Sequence, residues 1–461
     1  MWAGLSTLLR VAKLGVVFCT LLCSVVAIAK VSEQEARRLD GELTPLGAQR
    51  EGSPDGLIPA WTGGITAPPE GYQQGDFLQD PFIDEAPLAV ITADNVAAYQ
   101  HWLSDGQQAL LKQYPDTFHM RLYPSHRTHA APEWLYRNTR RNATLTTLTE
   151  DGSGILNAFG GVPFPIPQSG LEVIWNHVTR WRGIWLRRDE AEAVVYPNAS
   201  RKMYTADLDI MFNYYAPRAN PNDTDNILLF YKSLVKSPAR LAGGAFLLID
   251  PIDQTIQPRQ TWGYNAGQRR VRRLPHASHD SAALLSESTR TMDDTDMFNG
   301  SPERFTWTIV GKRQLIVPYN CNRLGLPDLS YDELLWPHHI NPHHVRYEVH
   351  RVWVLEARLK PNARHIYSRR VFYVDEDSWG IMISESYDHE DQLWRVGMSH
   401  GWAIAQARGV MPVVDVYHDL KTGRYNAKGM QNHAKGPGII SEEVRSAEHY
   451  TPAALRKLGR R

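Results

Sequence analysis

Long segments in which apolar and polar residues alternate occupy the region from residue 346 to residue 402. The first reads RYEVHRVWVLEARL, and the four segments span 346–359, 365–375, 379–388 and 393–402. Links of three to five residues join them, which predicts strands that pair in an antiparallel meander. Strands of ten residues or more exceed the usual length, and a twisted sheet of such strands curls toward a barrel or half-barrel.

Shorter apolar segments precede the meander from about residue 190. They are rich in aromatic and β-branched residues, as strands are, and turn residues separate them; they span 193–196, 228–231, 245–249, 261–264 and 269–274. Together with the meander, they predict an α+β fold that is mainly antiparallel β. We expect a curved sheet that forms an incomplete barrel.

Helical patterns lie mainly in the first part of the chain. Capping residues and the helical spacing of apolar residues predict four helices, at 30–41, 92–113, 132–149 and 169–181. The first of these helices opens with Ser32 and Glu35 at the spacing of a capping box. Residues 42–90 are rich in Gly and Pro but too apolar for disorder, so we predict ordered coil.

The first 29 residues carry the pattern of a secretory signal peptide. Arg10 and Lys13 precede an uncharged run over residues 14–29, which ends in Ala27-Ile28-Ala29. A basic start, an apolar core and an A-x-A site predict export from the cytoplasm, with cleavage after Ala29. The alternative is an uncleaved membrane anchor, although the 16-residue run is shorter than the roughly 20 residues that span a bilayer.

Charge and cysteine content narrow the classes of function. Lys+Arg and Asp+Glu both number 50, so no excess positive charge can neutralise phosphates, and we predict no nucleic-acid partner. After cleavage, Cys321 is the single remaining cysteine, which excludes an intramolecular disulfide. We expect Cys321 to be a buried, inert thiol rather than a nucleophile.

Motifs of established catalytic chemistry do not occur. The sequence has no nucleophile elbow, zinc-protease, dithiol or P-loop motif, and we predict no catalytic residue, no metal and no cofactor. The cluster His338–His344 could ligate a metal, but Pro337 and Pro342 break helical spacing, so a solvated loop is favoured. The acidic run Met292–Met297 resembles a calcium loop only loosely, and we expect a mobile loop.

A run of arginines, Arg269-Arg270-Val271-Arg272-Arg273, allows two interpretations. Arginine binds phosphate and carboxylate groups through two parallel hydrogen bonds, so the run could hold an anionic head group. The favoured interpretation is the solvent edge of a strand whose buried side carries Val271 and Leu274.

Aromatic residues give the better indication of a binding site. The chain contains 14 Trp and 20 Tyr, and each such ring buries ~150–250 Å². Facing inward on a curved sheet, they would line an apolar chamber; the alternative is that they fill a core. We predict that this chamber binds lipid through Trp262, Tyr264, Trp307, Trp353, Leu355, Phe372, Trp379 and Trp394.

Several segments together resemble a protein family, and the resemblance extends over nearly all of the chain after residue 29. The segments span 42–47, 58–64, 268–273, 296–302, 317–320 and 346–354. They resemble a proteobacterial periplasmic family of unknown function that is labelled outer-membrane lipoprotein-sorting protein. The resemblance implies the fold of the periplasmic carriers LolA and LolB, an incomplete barrel with helices covering its concave face.

The resemblance also implies a domain organisation and partners. It implies one domain over 30–461, divided into a coil with a short helix, a mostly helical part, the sheet and a C-terminal tail, at 30–90, 91–185, 186–405 and 406–461. A lipid or other apolar molecule is the implied cargo. An outer-membrane protein and a transporter of the resistance-nodulation-division type are the implied protein partners.

Two functions of different classes follow from these patterns. The first is a periplasmic carrier or binding protein for a lipid, a lipoprotein acyl chain or another apolar cargo. The alternative is a secreted hydrolase of esters or glycans with a non-standard active site, whose acid and base would come from loops such as Asp388–Asp391. A scaffold that docks to an outer-membrane partner is a third, less favoured possibility.

Overall fold

A computed structural model describes residues 31–459 except 69, 74–75, 78, 219–223 and 276–278. The predicted signal peptide, residues 1–29, lies outside the described residues. Within them, none of the helices combines the length and the apolar character that crossing a membrane requires.

Six α-helices occur in the described part of the chain: α1 (Glu33–Ala36), α2 (Asp105–Gln113), α3 (Glu133–Leu145), α4 (Gly170–Val178), α5 (Tyr331–Leu334) and α6 (Pro452–Leu458). The predicted capping box is confirmed, since the Glu35 amide donates to Ser32 Oγ over 3.2 Å and the Ser32 amide donates to Glu35 Oε2 over 3.1 Å.

Short 3₁₀ helices supplement them: Arg37–Asp40, Val96–Ala98, Gln100–Trp102, Asn213–Tyr215, Pro302–Arg304, Asn322–Gly325, Pro342–His344 and Ala447–Tyr450. The single helix predicted over 92–113 is therefore wrong in its first half. Leu103 is extended there, and the helix starts anew at Ser104, whose hydroxyl accepts a hydrogen bond from the Gln107 amide.

Eighteen strands follow one another along the described residues. The first ten are β1 (Ala89–Ile91), β2 (Met120–Leu122), β3 (Thr147–Leu148), β4 (Ile155–Leu156), β5 (Trp185–Val195), β6 (Arg201–Met211), β7 (Ile227–Ser237), β8 (Ala245–Pro251), β9 (Gln260–Asn265) and β10 (Arg270–Arg273). The others are β11 (Phe305–Pro318), β12 (Tyr347–Leu359), β13 (Arg369–Asp375), β14 (Ile381–Tyr387), β15 (Leu393–Ile404), β16 (Gly409–Asp419), β17 (Arg424–Met430) and β18 (Ile439–Ser441).

Sixteen of the described strands form one sheet. Its order is β1-β2-β12-β13-β14-β15-β16-β17-β5-β6-β7-β8-β9-β10, with β11 paired to β12 and β18 paired to β5. Neighbouring strands are antiparallel except for the short parallel pair of β2 and β12. The order ends at β1 on one side and β10 on the other, so the sheet is not closed. The predicted fold class, a mainly antiparallel sheet in an α+β fold, is confirmed.

The predicted meander is also confirmed, because β12, β13, β14 and β15 pair in sequence order. Strands β6, β16, β17 and β18 were not predicted from the sequence. Segment 406–461 was expected to be a tail, but it contributes β16 and β17, which join β15 to β5. Both strands lie in the middle of the sheet order, and Val410, Val413, Val414 and Val416 of β16 are buried.

The region 91–185 also differs from the expectation of mostly helical structure. The helical elements of this region in the described chain are α2, α3, α4 and two 3₁₀ turns; β2, β3 and β4 also lie there, and much of the remainder is coil. Glycines at 152, 154, 160 and 161 and prolines at 163, 165 and 167 interrupt helical geometry between α3 and α4.

The main core joins the sheet to α2, α3 and α4. Leu110, Leu135 and Trp175 of these helices pack with Leu355 and Phe372 of the sheet in one cluster. A second cluster covers the opposite face of β6 to β9, and a third lies around β11, β12 and β14. The thiol of Cys321 is buried as expected, and burial raises its pKa.

Candidate functional site

A cavity of about 620 Å³ lies on one face of strands β5 to β10. The strand register places Leu208 of β6, Ser233 of β7, Phe246 of β8 and Gly263 of β9 side by side on this face. We call it the inner face. Its apolar cavity residues include Leu186, Ala206, Leu208, Ile210, Leu229, Tyr231, Val235, Phe246, Leu248 and Leu274.

The opposite face of the same strands is packed. Met211, Phe230 and Leu247 lie there in a cluster with Tyr450 and with Leu455 of α6. Side chains alternate between the two faces of a strand, so these residues and the cavity residues lie on opposite faces. Both faces of these strands are therefore apolar. The C-terminal helix therefore fills one face, and the cavity remains on the other.

Residues 284–300, which we call the roof segment, lie over the inner face. Leu284, Leu285 and Met292 of this segment line the cavity. Leu284 is 47% exposed, whereas Met292 is 8% exposed, so the roof segment reaches from the solvent into the interior.

Ion pairs fasten the buried end of the roof segment to the sheet. Asp293 accepts hydrogen bonds from Arg370 over 3.2 Å and lies 3.0 Å from His365 Nε2. Asp294 accepts from Arg370 over 2.7 Å and from the hydroxyl of Tyr367 over 2.8 Å. Burial disfavours the ionised form of Asp293, but Arg370 and His365 outweigh this effect and hold the pKa of that carboxyl well below its usual range.

The expectation of a mobile acidic loop at Met292–Met297 is therefore wrong. Asp296 is paired with both Arg180 and Arg182, and His177 of α4 lies with its Nε2 3.0 Å from the Asp296 carbonyl oxygen. The cationic partners lie more than 70 residues away in sequence for each carboxylate. Sequence spacing alone could not pair them.

Charged side chains on the cavity wall are neutralised in pairs. Arg188 lies 3.1 Å from Glu190, and Arg290 of the roof segment lies 3.1 Å from Glu192. Lys428 of β17 also pairs with Glu190. Burial opposes the ionisation of Glu190, but Lys428 and Arg188 outweigh it and lower the pKa of this carboxyl to about 2.

Among the carboxylates of this wall, Asp415 is the exception. Its Oδ1 is buried and has no hydrogen-bond partner among the described residues. Burial, reinforced by the nearby Asp296, raises the pKa of Asp415 to about 6. The side chain is therefore protonated in part near neutral pH.

Of the eight residues predicted to bind lipid, Tyr264 alone is among the described residues that border the cavity. Its side chain nevertheless lies on the packed face of β9, in the cluster with Tyr450 and Leu455 of α6, and Trp262 lies on the same face beside that cluster. Trp394 is half-buried, and its indole nitrogen donates to Asp419 over 3.3 Å. Trp353 is half-buried and stacks on Trp379 with ring centroids 6.2 Å apart.

The remaining members of the predicted set lie in the main core. Trp307 stacks on Phe372 with ring centroids 5.5 Å apart, and its indole nitrogen donates to the Pro302 carbonyl over 2.9 Å. Leu355 is fully buried. The indole nitrogen of Trp379 donates to the Leu46 carbonyl over 2.9 Å. The structure thus brings together Trp307, Leu355 and Phe372, but away from the cavity.

The residues that the sequence analysis missed are mostly aliphatic. On β6, Tyr204, Ala206, Leu208 and Ile210 line the cavity. These positions alternate with Thr205, Asp207 and Asp209, and such a period of two identifies a strand with one apolar face. This alternation can be read from the sequence, but it marks aliphatic residues, whereas the predicted site was chosen from aromatic residues.

The histidine cluster is not a solvated loop throughout. His339 is buried, its Nε2 lies 3.0 Å from Thr117 Oγ1, and burial lowers its pKa to about 4. His338 stacks on Tyr114, and His344 lies 3.0 Å from Glu333. These imidazoles are directed at separate partners.

One group in the described chain brings potential metal ligands within 4.8 Å of one another: His350, Asp375 and Asp377. All three are buried. Both oxygens of Asp377 accept hydrogen bonds from Arg127, over 2.6 and 2.8 Å, and His350 Nε2 lies 3.0 Å from Glu348. Arg127 thus already neutralises Asp377, and the group belongs to a buried network of ion pairs.

The loop considered for a hydrolase is a surface turn between β14 and β15. Asp388 accepts from Lys421 over 2.5 Å, Asp391 accepts from Arg369 over 2.7 Å, and His389 Nε2 lies 2.9 Å from the His365 carbonyl. None of these three residues is among the described residues that line the cavity.

A family model described as "protein of unknown function (DUF1329)" matches residues 90–456. The uncharacterized protein PA3922 of Pseudomonas aeruginosa is 42% identical over 445 residues, which cover 96% of this chain and 97% of that protein.

Solved structures with a similar chain course include three at low identity. A DUF1329 family protein from Desulfovibrio piger has 13% identity and a TM-score of 0.40, covering 59% of this chain and 92% of that one. A putative outer membrane lipoprotein-sorting protein domain from Vibrio parahaemolyticus has 13% identity and a TM-score of 0.43, and the match covers 62% of this chain and 98% of that domain. The LolA superfamily protein NE2245 from Nitrosomonas europaea has 11% identity and a TM-score of 0.37, and the match covers 61% of this chain and 97% of that protein.

Proposed function

This chain belongs to the DUF1329 family of proteins of unknown function, and we propose that it is a carrier or binding protein for a lipid, a lipoprotein acyl chain or another apolar molecule. The observation that supports the proposal is the cavity beneath the roof segment. A wide apolar sheet face that no helix of the described chain fills provides the surface that such a cargo requires.

The size and lining of the cavity suit an acyl chain. Its volume of about 620 Å³ lies within the range of roughly 300–1,000 Å³ that is typical of ligand pockets. Transfer of each cargo CH₂ from water to the inner face would stabilise the complex by ~0.8 kcal/mol. Binding of useful affinity therefore needs burial alone, and we propose no catalytic step.

The finer parts of the proposal concern location and partners. The signal-peptide pattern of residues 1–29 supports a periplasmic location for the mature chain. Work with an outer-membrane protein and a transporter of the resistance-nodulation-division type rests on the family resemblance alone. A periplasmic fraction from the native host should contain the protein with Lys30 at its N-terminus, and a retained N-terminus in the membrane fraction would contradict the proposed location.

Filling the cavity tests the function directly. Ala206→Trp places a large ring on the inner face, between the cross-strand neighbours Glu190 and Val235. We expect this variant to bind the neutral apolar probe N-phenylnaphthylamine at least tenfold more weakly, because the ring occupies the space of the cargo. Fluorescence titration measures the affinity, and native mass spectrometry shows whether lipid co-purifies from the native host.

Val310→Trp is the matched control, since Val310 is 65% exposed on β11 and does not line the cavity. It should bind the probe as the parent protein does. Ligand-free mass spectra together with no binding of the probe would overturn the carrier proposal. Reproducible hydrolysis of an acyl ester by the purified protein would instead favour the hydrolase.

A further inference from the structure

We propose that the cargo is an acyl lipid with an anionic head group, which Arg240 and Arg272 hold at the opening of the cavity. This inference rests on the proposed carrier function and specifies the chemistry of its ligand. The acyl chain would lie on the inner face beneath the roof segment, and the head group would stay at the solvent-exposed end.

The charge balance of the cavity wall is the first observation. The cationic side chains that line it are Arg182, Arg188, Arg240, Arg259, Arg272, Arg290 and Lys428. Five of them pair with a carboxylate: Arg182 with Asp296, Arg188 and Lys428 with Glu190, Arg259 with Asp250, and Arg290 with Glu192. For Arg240 and Arg272, no acidic or hydrogen-bonding partner exists among the described residues.

The position of Arg272 is the second observation. Arg272 lies opposite Gly263 on the neighbouring strand, and Gly263 lies opposite Phe246, so the guanidinium belongs to the inner face. Gly263 carries no side chain that could occupy the space between them. Of the four arginines in the run 269–273, Arg272 is the one that lines the cavity. The head-group interpretation of this run therefore applies to one residue.

Arg240 approaches the opening from another element. It lies in the connection between β7 and β8, where Leu241 and Gly244 also line the cavity. Its charge acts on the phenol of Tyr204, an inner-face residue of β6. Two cations, one on the connection between β7 and β8 and one on β10, thus belong to one cavity.

Accessibility is the third observation. Arg240 and Arg272 are both exposed, and Leu284 of the roof segment, 47% exposed, lines the same cavity. An exposed apolar side chain and free guanidinium groups at one cavity match the two parts of an amphiphile. Guanidinium groups bind phosphate and carboxylate oxygens through paired hydrogen bonds, whereas they would repel a cationic head group.

Two ligands with the same acyl chain separate the contribution of the head group to affinity from the contribution of the chain. Myristate is anionic, and monomyristoylglycerol is neutral. In displacement of N-phenylnaphthylamine, we expect the double variant Arg240→Gln and Arg272→Gln to lose at least tenfold in affinity for myristate and to bind monomyristoylglycerol as before. The affinity of the parent protein for myristate should fall with rising salt, because the two arginines are exposed.

Arg273→Gln is the matched control, since Arg273 is an exposed neighbour that lies opposite Trp262 on the packed face. It should leave both affinities unchanged. Equal loss in this control, or unchanged myristate binding in the double variant while monomyristoylglycerol still binds, would overturn the head-group inference and leave the carrier function standing.

Two further outcomes distinguish a lipid head group from a free anion, and failure of the carrier function from failure of the head-group inference. Inorganic phosphate at millimolar concentration should not weaken myristate binding; strong competition would mean a site for a free anion and would overturn the lipid assignment. If neither acyl ligand displaces the probe from the folded parent protein, the proposed carrier function fails together with the inference. Thermal unfolding monitored by circular dichroism confirms that each variant is folded.

Discussion

Three buried histidines, His177, His400 and His418, have lowered pKa values and are neutral at neutral pH. Burial, with the neighbouring Arg180, lowers the pKa of His177 to about 3, and burial lowers the pKa values of His400 and His418 to about 4 and about 3. Each of these imidazoles contacts a backbone carbonyl oxygen. These histidines therefore bind a proton at a higher pH in the unfolded chain than in the folded protein.

His400→Asn should make the free energy of unfolding less dependent on pH. The unfolded histidine takes up a proton near pH 6.5, whereas the folded one does so near pH 4. The stabilisation is therefore present above pH 6.5 and is lost as the pH falls toward 4. One such group contributes ~1.4 kcal/mol per pH unit in this window.

Urea unfolding between these pH values measures the slope. The asparagine amide can retain the contact that His400 Nδ1 makes with the Val414 carbonyl over 3.0 Å. We expect a lower stability at neutral pH and a slope that is smaller by about one proton. An unchanged slope would show that His400 accepts a proton in the folded state.

Residue identity alone could not locate the cavity. The aromatic content correctly indicated a large apolar interior, and Trp307, Leu355 and Phe372 are indeed buried. Whether a buried side chain fills a core or lines a cavity depends on what packs opposite it. At Phe372 that is Phe298 of the roof segment, with ring centroids 5.8 Å apart, a contact between residues far apart in sequence.

The roof segment is an element without regular secondary structure, yet it is fixed in place. Its buried end depends on Arg370, which is fully buried and bonded to both Asp293 and Asp294. Its exposed part is held by Glu287, which accepts from Lys202 over 2.6 Å. Since the Lys202 pair is solvent-exposed, it contributes less than the buried pairs do.

Arg370→Met should release the roof segment, because it leaves two carboxylates in the interior without their cation. Loss of one partner from a buried ion pair costs about 3–5 kcal/mol. Urea unfolding measures the stability, and hydrogen exchange should rise over residues 290–296. Arg358→Met is the control: its ion pair with Glu356 is exposed and is worth about 0–1 kcal/mol. Equal losses in the two variants would contradict this account.

Elements joined by short links were predictable, and elements held by distant partners were not. The meander from β12 to β15 follows from its links, since short links make neighbours in sequence neighbours in space. The roof segment has no periodic pattern, and its acidic residues resemble a solvated loop until their partners are known. The Arg370 bond to Asp293 spans 77 residues of sequence.

At the scale of the whole molecule, β16 and β17 join two groups of strands into one sheet. β15 pairs with β16, β16 with β17, and β17 with β5. Without them, β5 and β15 would each present an unpaired edge. Local patterns predict strands in each group, but no local signal shows that a later segment of the chain lies between the two groups.

A chain that ends at residue 405 should therefore fail to form a cooperative fold. Its two strand groups would lose their common neighbours and expose backbone donors and acceptors that favour aggregation. Near-ultraviolet circular dichroism and thermal unfolding provide the measurement. As a comparison, removal of residues 31–41 affects Ala36 and Leu39 of a separate small cluster, and this chain should still unfold cooperatively. A cooperative transition in the chain that ends at residue 405 would contradict the bridging role.

The pairing of β17 with β5 also sets when the molecule can fold. Asn426 donates to Glu192 across 234 residues of sequence, and a ribosome adds that length in roughly 10–50 s. Throughout that interval β5 lacks the neighbour it will keep, and such distant pairing slows folding further. The complete sheet consequently cannot form before β17 has been synthesised.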